Sequence, residues 1–194
     1  MNMAIFYHGS SVLFDRFDLS HVLEGEGKVK FGYGVYLTSR FRSAAHYSGA
    51  DKRAATHYVY TVEVPGLTED NHIDFKKPVH PDIVSRAEKR LGSVIPPKVS
   101  LDGKDFRKYL AKTLGGGSDL QSEKMAAEFL DSIGVAFITW PYSWRNPDSG
   151  LNLAVLDDSK VLIRKIQQVA LDDRQQLIPG SEKEIIVKMP GGGK

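Results

Sequence analysis

The sequence predicts an α+β domain built from many short strands. Three observations carry this. Residues 57–64 (HYVYTVEV) alternate with the period near two that a half-buried strand requires. Residues 122–133 place Met125, Ala126, Phe129 and Ile133 on one helical face. Short apolar runs at 4–7, 34–38, 135–140 and 151–156 are each cut off by Gly, Pro, Ser or paired Asp.

In chain order, residues 4–7 read as a buried strand that turns at His8-Gly9-Ser10. Phe14, Phe17 and Leu19 form a loosely anchored segment, and the charged, Gly-rich stretch 24–30 a loop. Residues 34–38 make a second strand, after which Ser39 is placed to N-cap a helix through Ala44, Ala45 and Tyr47. Pro65-Gly66 ends the strand that starts at His57. Helices are expected over 82–91 and 105–114, separated by Pro96-Pro97 and closed by Gly115-Gly116-Gly117. Ser122 is the expected cap of the next helix, and Gly134 its stop. Strands follow at 135–140, 151–156 and 161–169, with an exposed aromatic loop at 141–150 (PYSWRNPDSG). A short final strand is expected at 185–187 and disorder from Pro190 onward.

Composition narrows the function. The chain has 194 residues, 41% hydrophobic and 26% charged, as expected of a globular protein with a proper core. A net charge of +2 is too small to indicate nucleic acid by itself, although Lys28, Lys30, Arg40, Arg42, Lys52 and Arg53 cluster locally. The absence of cysteine excludes disulfides, thiolate zinc sites and a cysteine nucleophile, and fits the cytoplasm. No signal peptide is read at the start, and no apolar run nears the roughly 20 residues that cross a bilayer, so no membrane partner is expected. The six histidines lack metal-ligand spacing, so no metal is expected, and no phosphate-binding G-x-x-x-x-G-K-[ST] loop occurs.

The chemistry-bearing residues fall in three groups. His8-Gly9 follows a strand; a histidine there can hold a ribose hydroxyl, and glycine lets backbone approach a ligand closely. The alternative is a core histidine beside an ordinary turn. Tyr36 and Tyr47 lie eleven positions apart across a strand-to-helix corner, where two rings can sandwich a flat cationic ring. The alternative is that both fill the core. Gly32 and Gly34 flank Tyr33 and mark either a ligand's close approach or a bulge. The 25–27 GEG stretch is either a loop over a diphosphate or a solvated one. Trp140, Tyr142 and Trp144 suit either core packing or stacking against an acceptor.

Taken in order, Tyr7-His8-Gly9-Ser10, then residues 31–38 (FGYGVYLT), then Ala44-Ala45-His46-Tyr47 resemble the ADP-ribosyltransferase superfamily, in its diphtheria-toxin/PARP-like branch with a His-Tyr-Glu triad. The likeness is nearest to the domains of phage polyvalent proteins and related bacterial toxins. Phe14, Phe17, the GEG stretch and residues 58–65 match in order, and 150–158 resembles the family's last core strand, so the likeness covers about residues 5–165.

The resemblance implies a split β-sandwich with peripheral helices as the catalytic domain over 1–165, and a C-terminal extension over 166–194. It implies NAD+ as substrate, held by His8, Gly9, Ser10, Gly34, Tyr36 and Tyr47, with His8, Tyr36 and Asn152 as catalytic residues. Asn152 stands where the family often has glutamate; it can bond a ribose hydroxyl but cannot be a general base. Glu184 is the second choice for that position and Glu26 the third. The expected function is mono-ADP-ribosyl transfer to a protein, RNA or DNA acceptor, plausible for a toxin with a neutralising antitoxin. The alternatives are an NAD+ glycohydrolase and a non-catalytic NAD- or ADP-ribose-binding module.

Overall fold

The computed structural model describes residues 2–21 and 29–187. The expected loop over the GEG stretch, Glu26 and the expected disordered end from Pro190 lie outside them. Among the described residues four α-helices and eight strands form an α+β fold.

β1 (Met3–Ser10), β2 (Val35–Thr38), α1 (Phe41–Ser48) and β3 (His57–Pro65) come first. β4 (His72–Asp74), α2 (Pro81–Leu91), α3 (Gly103–Gly115) and α4 (Leu120–Ser132) follow. β5 (Phe137–Pro141), β6 (Leu151–Val155), β7 (Leu162–Val169) and β8 (Lys183–Glu184) complete the fold. All strands join one sheet in the order β4-β5-β6-β2-β1-β3-β7-β8. Only β4–β5 is parallel.

The sheet has one weak seam. β1 pairs with β3 over its whole length, from Met3↔Pro65 to Ser10↔Tyr58. With β2 it shares the single pair Tyr7↔Thr38. Past Tyr7 the two strands fork. The half β4-β5-β6-β2 and the half β1-β3-β7-β8 nevertheless share one core, in which Phe6, Tyr60, Val62 and Ile166 pack with Leu37, Phe137, Leu153 and Val155. The opposite face of the first half is covered by the helices, through Ile83, Phe106, Leu110, Ala126 and Leu130 against Ile73, Ile138 and Ala154. No helix of the described residues is long and apolar enough to cross a membrane.

Gly9 sets how closely α1 packs on β1. A Cβ there would lie 1.8 Å from the Ala44 carbonyl oxygen and 2.8 Å from the Ser48 amide nitrogen. The backbone of α1 therefore lies directly on β1. The role expected for this glycine, close approach to a ligand, is taken on its Cβ side by close approach of a helix.

Several local expectations are corrected. Ser39 does not cap α1; Arg40 holds that position without a side-chain cap, and the Ser39 hydroxyl accepts the Leu151 N–H at 2.9 Å. α4 starts earlier than expected because the Asp119 carboxylate accepts the Ser122 N–H, leaving Ser122 buried in the first turn. The last strand is Lys183–Glu184, with 185–187 outside it. Residue 165, after which the C-terminal extension was expected to begin, lies within β7. β4 went unread because three residues give no period to detect.

Gly9→Ala should lower stability by about 3 kcal/mol, or a melting temperature drop of roughly 6–12 °C, because overpacking forces α1 off β1. Thermal unfolding followed by circular dichroism reads this directly; a wild-type melting temperature would refute the packing role.

Candidate functional site

The fork leaves backbone groups of β2 without a strand partner, and a side chain takes one of them. The His8 ring donates from Nδ1 to the Tyr36 carbonyl oxygen at 2.8 Å. A carbonyl only accepts, so Nδ1 carries the proton. Burial holds the His8 pKa below its ordinary value, and the Tyr36 carbonyl opposes that only in part. The ring is therefore neutral near pH 7, and its Nε2 lone pair can accept a hydrogen bond. Three rings fix its orientation edge-on: Phe17 at 5.1 Å, Phe14 at 6.1 Å and Tyr60 at 6.1 Å. Phe14 stacks on Tyr60 at 4.2 Å and 8°, and the Tyr60 hydroxyl accepts the Phe14 N–H and donates to the Val12 carbonyl. The segment after β1, expected to be loosely anchored, is thus a fitted aromatic cage.

Tyr36 points to the other side of β2. The ladder pairs Tyr36 with Ala154 and Thr38 with Asn152, and β5 pairs Trp140 with Asn152. Directly paired residues share a face, and alternate residues along a strand do too. Tyr36, Thr38, Asn152 and Trp140 therefore line one face. The Tyr36 hydroxyl donates to the Gly32 carbonyl at 2.8 Å and accepts the Phe31 N–H at 3.1 Å. Burial, only partly offset by that N–H and by Arg107, pushes its pKa up to about 12. This phenol is a structural strut at neutral pH and not an acid or base. Its ring meets Trp140 edge-on at 5.4 Å, and Phe31 lies flat on Trp140 at 4.0 Å and 3°.

Asn152 is 6% exposed, and its Oδ1 has no hydrogen-bond partner. A buried orphan of this kind costs about 1–3 kcal/mol. A ribose hydroxyl, which both donates and accepts, would satisfy the amide in either orientation.

The remaining expected residues separate. Gly34 is buried because a Cβ would stand 2.6 Å from the Val155 carbonyl oxygen, so its role is strand packing. The Ser10 hydroxyl accepts the Val12 N–H at 3.0 Å in a local turn. Tyr47 projects from α1 with 53% of its surface exposed, and partial burial together with the nearby Tyr142 raises its pKa. Trp140 is a core residue. Glu184 is exposed on the outermost strand, three strands from β1, and pairs with Lys165 at 3.6 Å. It does not reach the site.

Two contributors were missed. Arg107 of α3 and Glu123 of α4 form a buried ion pair at 2.8 Å beneath this face. Arg107 also packs where a side chain on Gly32 would stand, with Cδ 3.0 Å from that position. Burial raises the Glu123 carboxyl pKa against the pull of Arg107. The signal was readable: each charge occupies an apolar-face position, Arg107 beside Phe106 and Leu110, Glu123 beside Ala126 and Ala127.

Two concavities lie away from these residues. One of about 480 Å³ is lined by Lys98, Val99, Asp105, Lys108, Tyr109 and Lys112. The other, about 470 Å³, lies between the end of α1 and the turn at 171–175. His8, Tyr36, Tyr47 and Asn152 line neither of these two.

No protein-family model matches the chain, and no curated protein matches it closely enough to establish a relationship. The functional reading rests on the residues and their geometry.

Replacing Asn152 with Leu, of the same branching, should raise stability by about 1 kcal/mol while abolishing ligand binding, since it removes a buried carbonyl oxygen that has no partner. Urea unfolding tests the first half, and a loss of stability would contradict it. Stability should also fall as pH drops below the ordinary histidine range near 6.5, because the unfolded chain then takes up a proton that folded His8 refuses. His8→Gln should flatten that slope; an unchanged slope would exclude His8 as its source.

Proposed function

We propose that this protein is a mono-ADP-ribosyltransferase that cleaves NAD+ at the nicotinamide–ribose bond and passes ADP-ribose to a macromolecule. The observation that carries the reading is the Asn152 side-chain oxygen, buried without a partner beside Tyr36 and Thr38 on the strand next to the fork. A dinucleotide lying through the fork would meet two kinds of group. On one side the neutral Nε2 of His8 accepts from a ribose hydroxyl. On the other, Asn152 bonds the ribose at the reacting end and the Tyr36 and Tyr47 rings offer flat faces to nicotinamide.

The reaction needs little proton chemistry from the protein. The C1′–N bond breaks, nicotinamide leaves with the electron pair as a neutral molecule, and the acceptor's nucleophile bonds to C1′ through an oxocarbenium-like transition state. The nucleophile's proton then leaves to solvent or to the acceptor. Asn152 cannot take it, and the Tyr36 phenol is committed to the backbone. Rate enhancement comes from holding both halves of NAD+ and orienting the acceptor. A toxin restrained by an antitoxin is the cellular role that this small catalytic unit suits.

NAD+ labelled in the adenylate, incubated with protein and cell lysate, tests the proposal. Label on macromolecules supports transfer, free ADP-ribose would reassign the protein as a glycohydrolase, and intact NAD+ would leave a binding module. Tyr47→Ala should reduce transfer at least a hundredfold, roughly the loss expected when a reactant is no longer held in register, while Glu184→Gln keeps full activity. The reverse pattern would sink the site assignment.

A further inference from the structure

The surface beside Asn152 carries exposed aromatic side chains, of which Trp144 meets the core ring Phe75 at 6.2 Å. The loop between β5 and β6 is pinned at its base: the Tyr142 N–H donates to the Gly150 carbonyl at 2.8 Å, and Ser39 and Leu151 bond each other through two contacts. An Arg40 guanidinium N–H also donates to the Ser149 carbonyl at 3.3 Å. This rigid base presents Tyr142 at 40% exposure and Trp144 at 49%, with Tyr47 of α1, at 53%, alongside. Arg40 lies over the Tyr142 ring at 4.3 Å. Arg42 and Arg145 are exposed and make no ion pair among the described residues. Asp148 is the one acid of the loop.

Exposed aromatic rings cost solvation and are rarely grouped without a partner. Exposed rings beside guanidinium groups, one of them over Tyr142 and one free of ion pairs, match one chemistry closely. Unpaired bases stack on the rings, and phosphates meet the guanidinium groups. A duplex hides its bases in the stack and offers these rings nothing flat. An acidic peptide would use the arginines but leave the rings idle.

We propose that Tyr142 and Trp144, with Arg40 and Arg145, bind a single-stranded nucleic acid and hold it as acceptor beside Asn152. The acceptor role rests on the transferase reading above; the binding does not. The test therefore omits NAD+, so that failure here and failure of that reading are separable.

Fluorescence anisotropy with a labelled single-stranded RNA or DNA of about 12 nucleotides, within the usual site size of such surfaces, measures binding. Log affinity should fall linearly with log salt concentration. Trp144→Ala and Tyr142→Ala should each weaken binding about fivefold to a hundredfold, the loss of one stacked base. Both residues are exposed, so circular dichroism should show unchanged folding. Lys108→Ala, in the lysine-lined concavity on α3, should leave binding unchanged. Trp144, the more exposed of the two tryptophans, should lose fluorescence as strand is added. Absent binding, wild-type affinity in both aromatic variants, or duplex bound as tightly as single strand would overturn the proposal. Poly-glutamate binding that the aromatic variants weaken equally would overturn it in favour of an acidic protein acceptor.

Discussion

The structure depends on two strands that meet at one point and then part. Tyr7↔Thr38 is the only ladder pair between β1 and β2. On the Cβ side of Gly9 the backbone of α1 is already in contact. Buried backbone carbonyls require partners, and the His8 imidazole meets that need for Tyr36. One hydrogen bond thus links the two strands beyond their ladder pair, fixes the histidine tautomer and leaves Nε2 as an acceptor. The aromatic cage of Phe14, Phe17 and Tyr60 follows from the same demand, because a neutral ring in that position needs apolar walls.

The two sides of the fork are held differently. The His8 side rests on ring packing in the shared core. The Tyr36 side rests on polar struts: its hydroxyl bridges Phe31 and Gly32, and the buried Arg107–Glu123 pair lies beneath. A buried ion pair of this kind adds little net stability but is costly to break from one side. Its geometric consequence matters more. It sets where Gly32 can sit, and so where the Tyr36 phenol is anchored.

Much of this was legible in the sequence, for reasons that differ by residue. The α+β class and most elements followed from periodicity and from Gly and Pro punctuation. Asn152, Tyr36 and His8 were picked out by motif; they lie on neighbouring strands, the His8 ring among the aromatics of the shared core and Tyr36 and Asn152 on the opposite face. What stayed hidden was the side of β2 each would occupy, since that depends on a pairing register no local pattern encodes. Gly9 and Gly34 were read as ligand contacts, yet the atoms that exclude a Cβ there come from α1 and β6, far along the chain. Ser39 and Ser122 had cap-like contexts, but the hydrogen bonds went to a distant strand and to Asp119. Glu184 resembled a family strand in sequence only; its place at the far sheet edge is a matter of topology.

The asparagine at 152 changes what the rest of the surface must do. A carboxylate there would both grip the ribose and draw a proton from the incoming group. An amide only grips. In the proposed reaction the Nε2 of His8 is taken by a ribose hydroxyl, and burial pushes the Tyr36 phenol pKa up to about 12. In the proposed reaction the burden passes to the acceptor, which must arrive as a competent nucleophile and be held in line with C1′. Positioning alone can supply a large part of such a barrier. In the proposal, a loop pinned at its base and holding a flexible strand by its bases would supply that positioning, which ties the exposed rings to an amide at 152 that cannot act as a base.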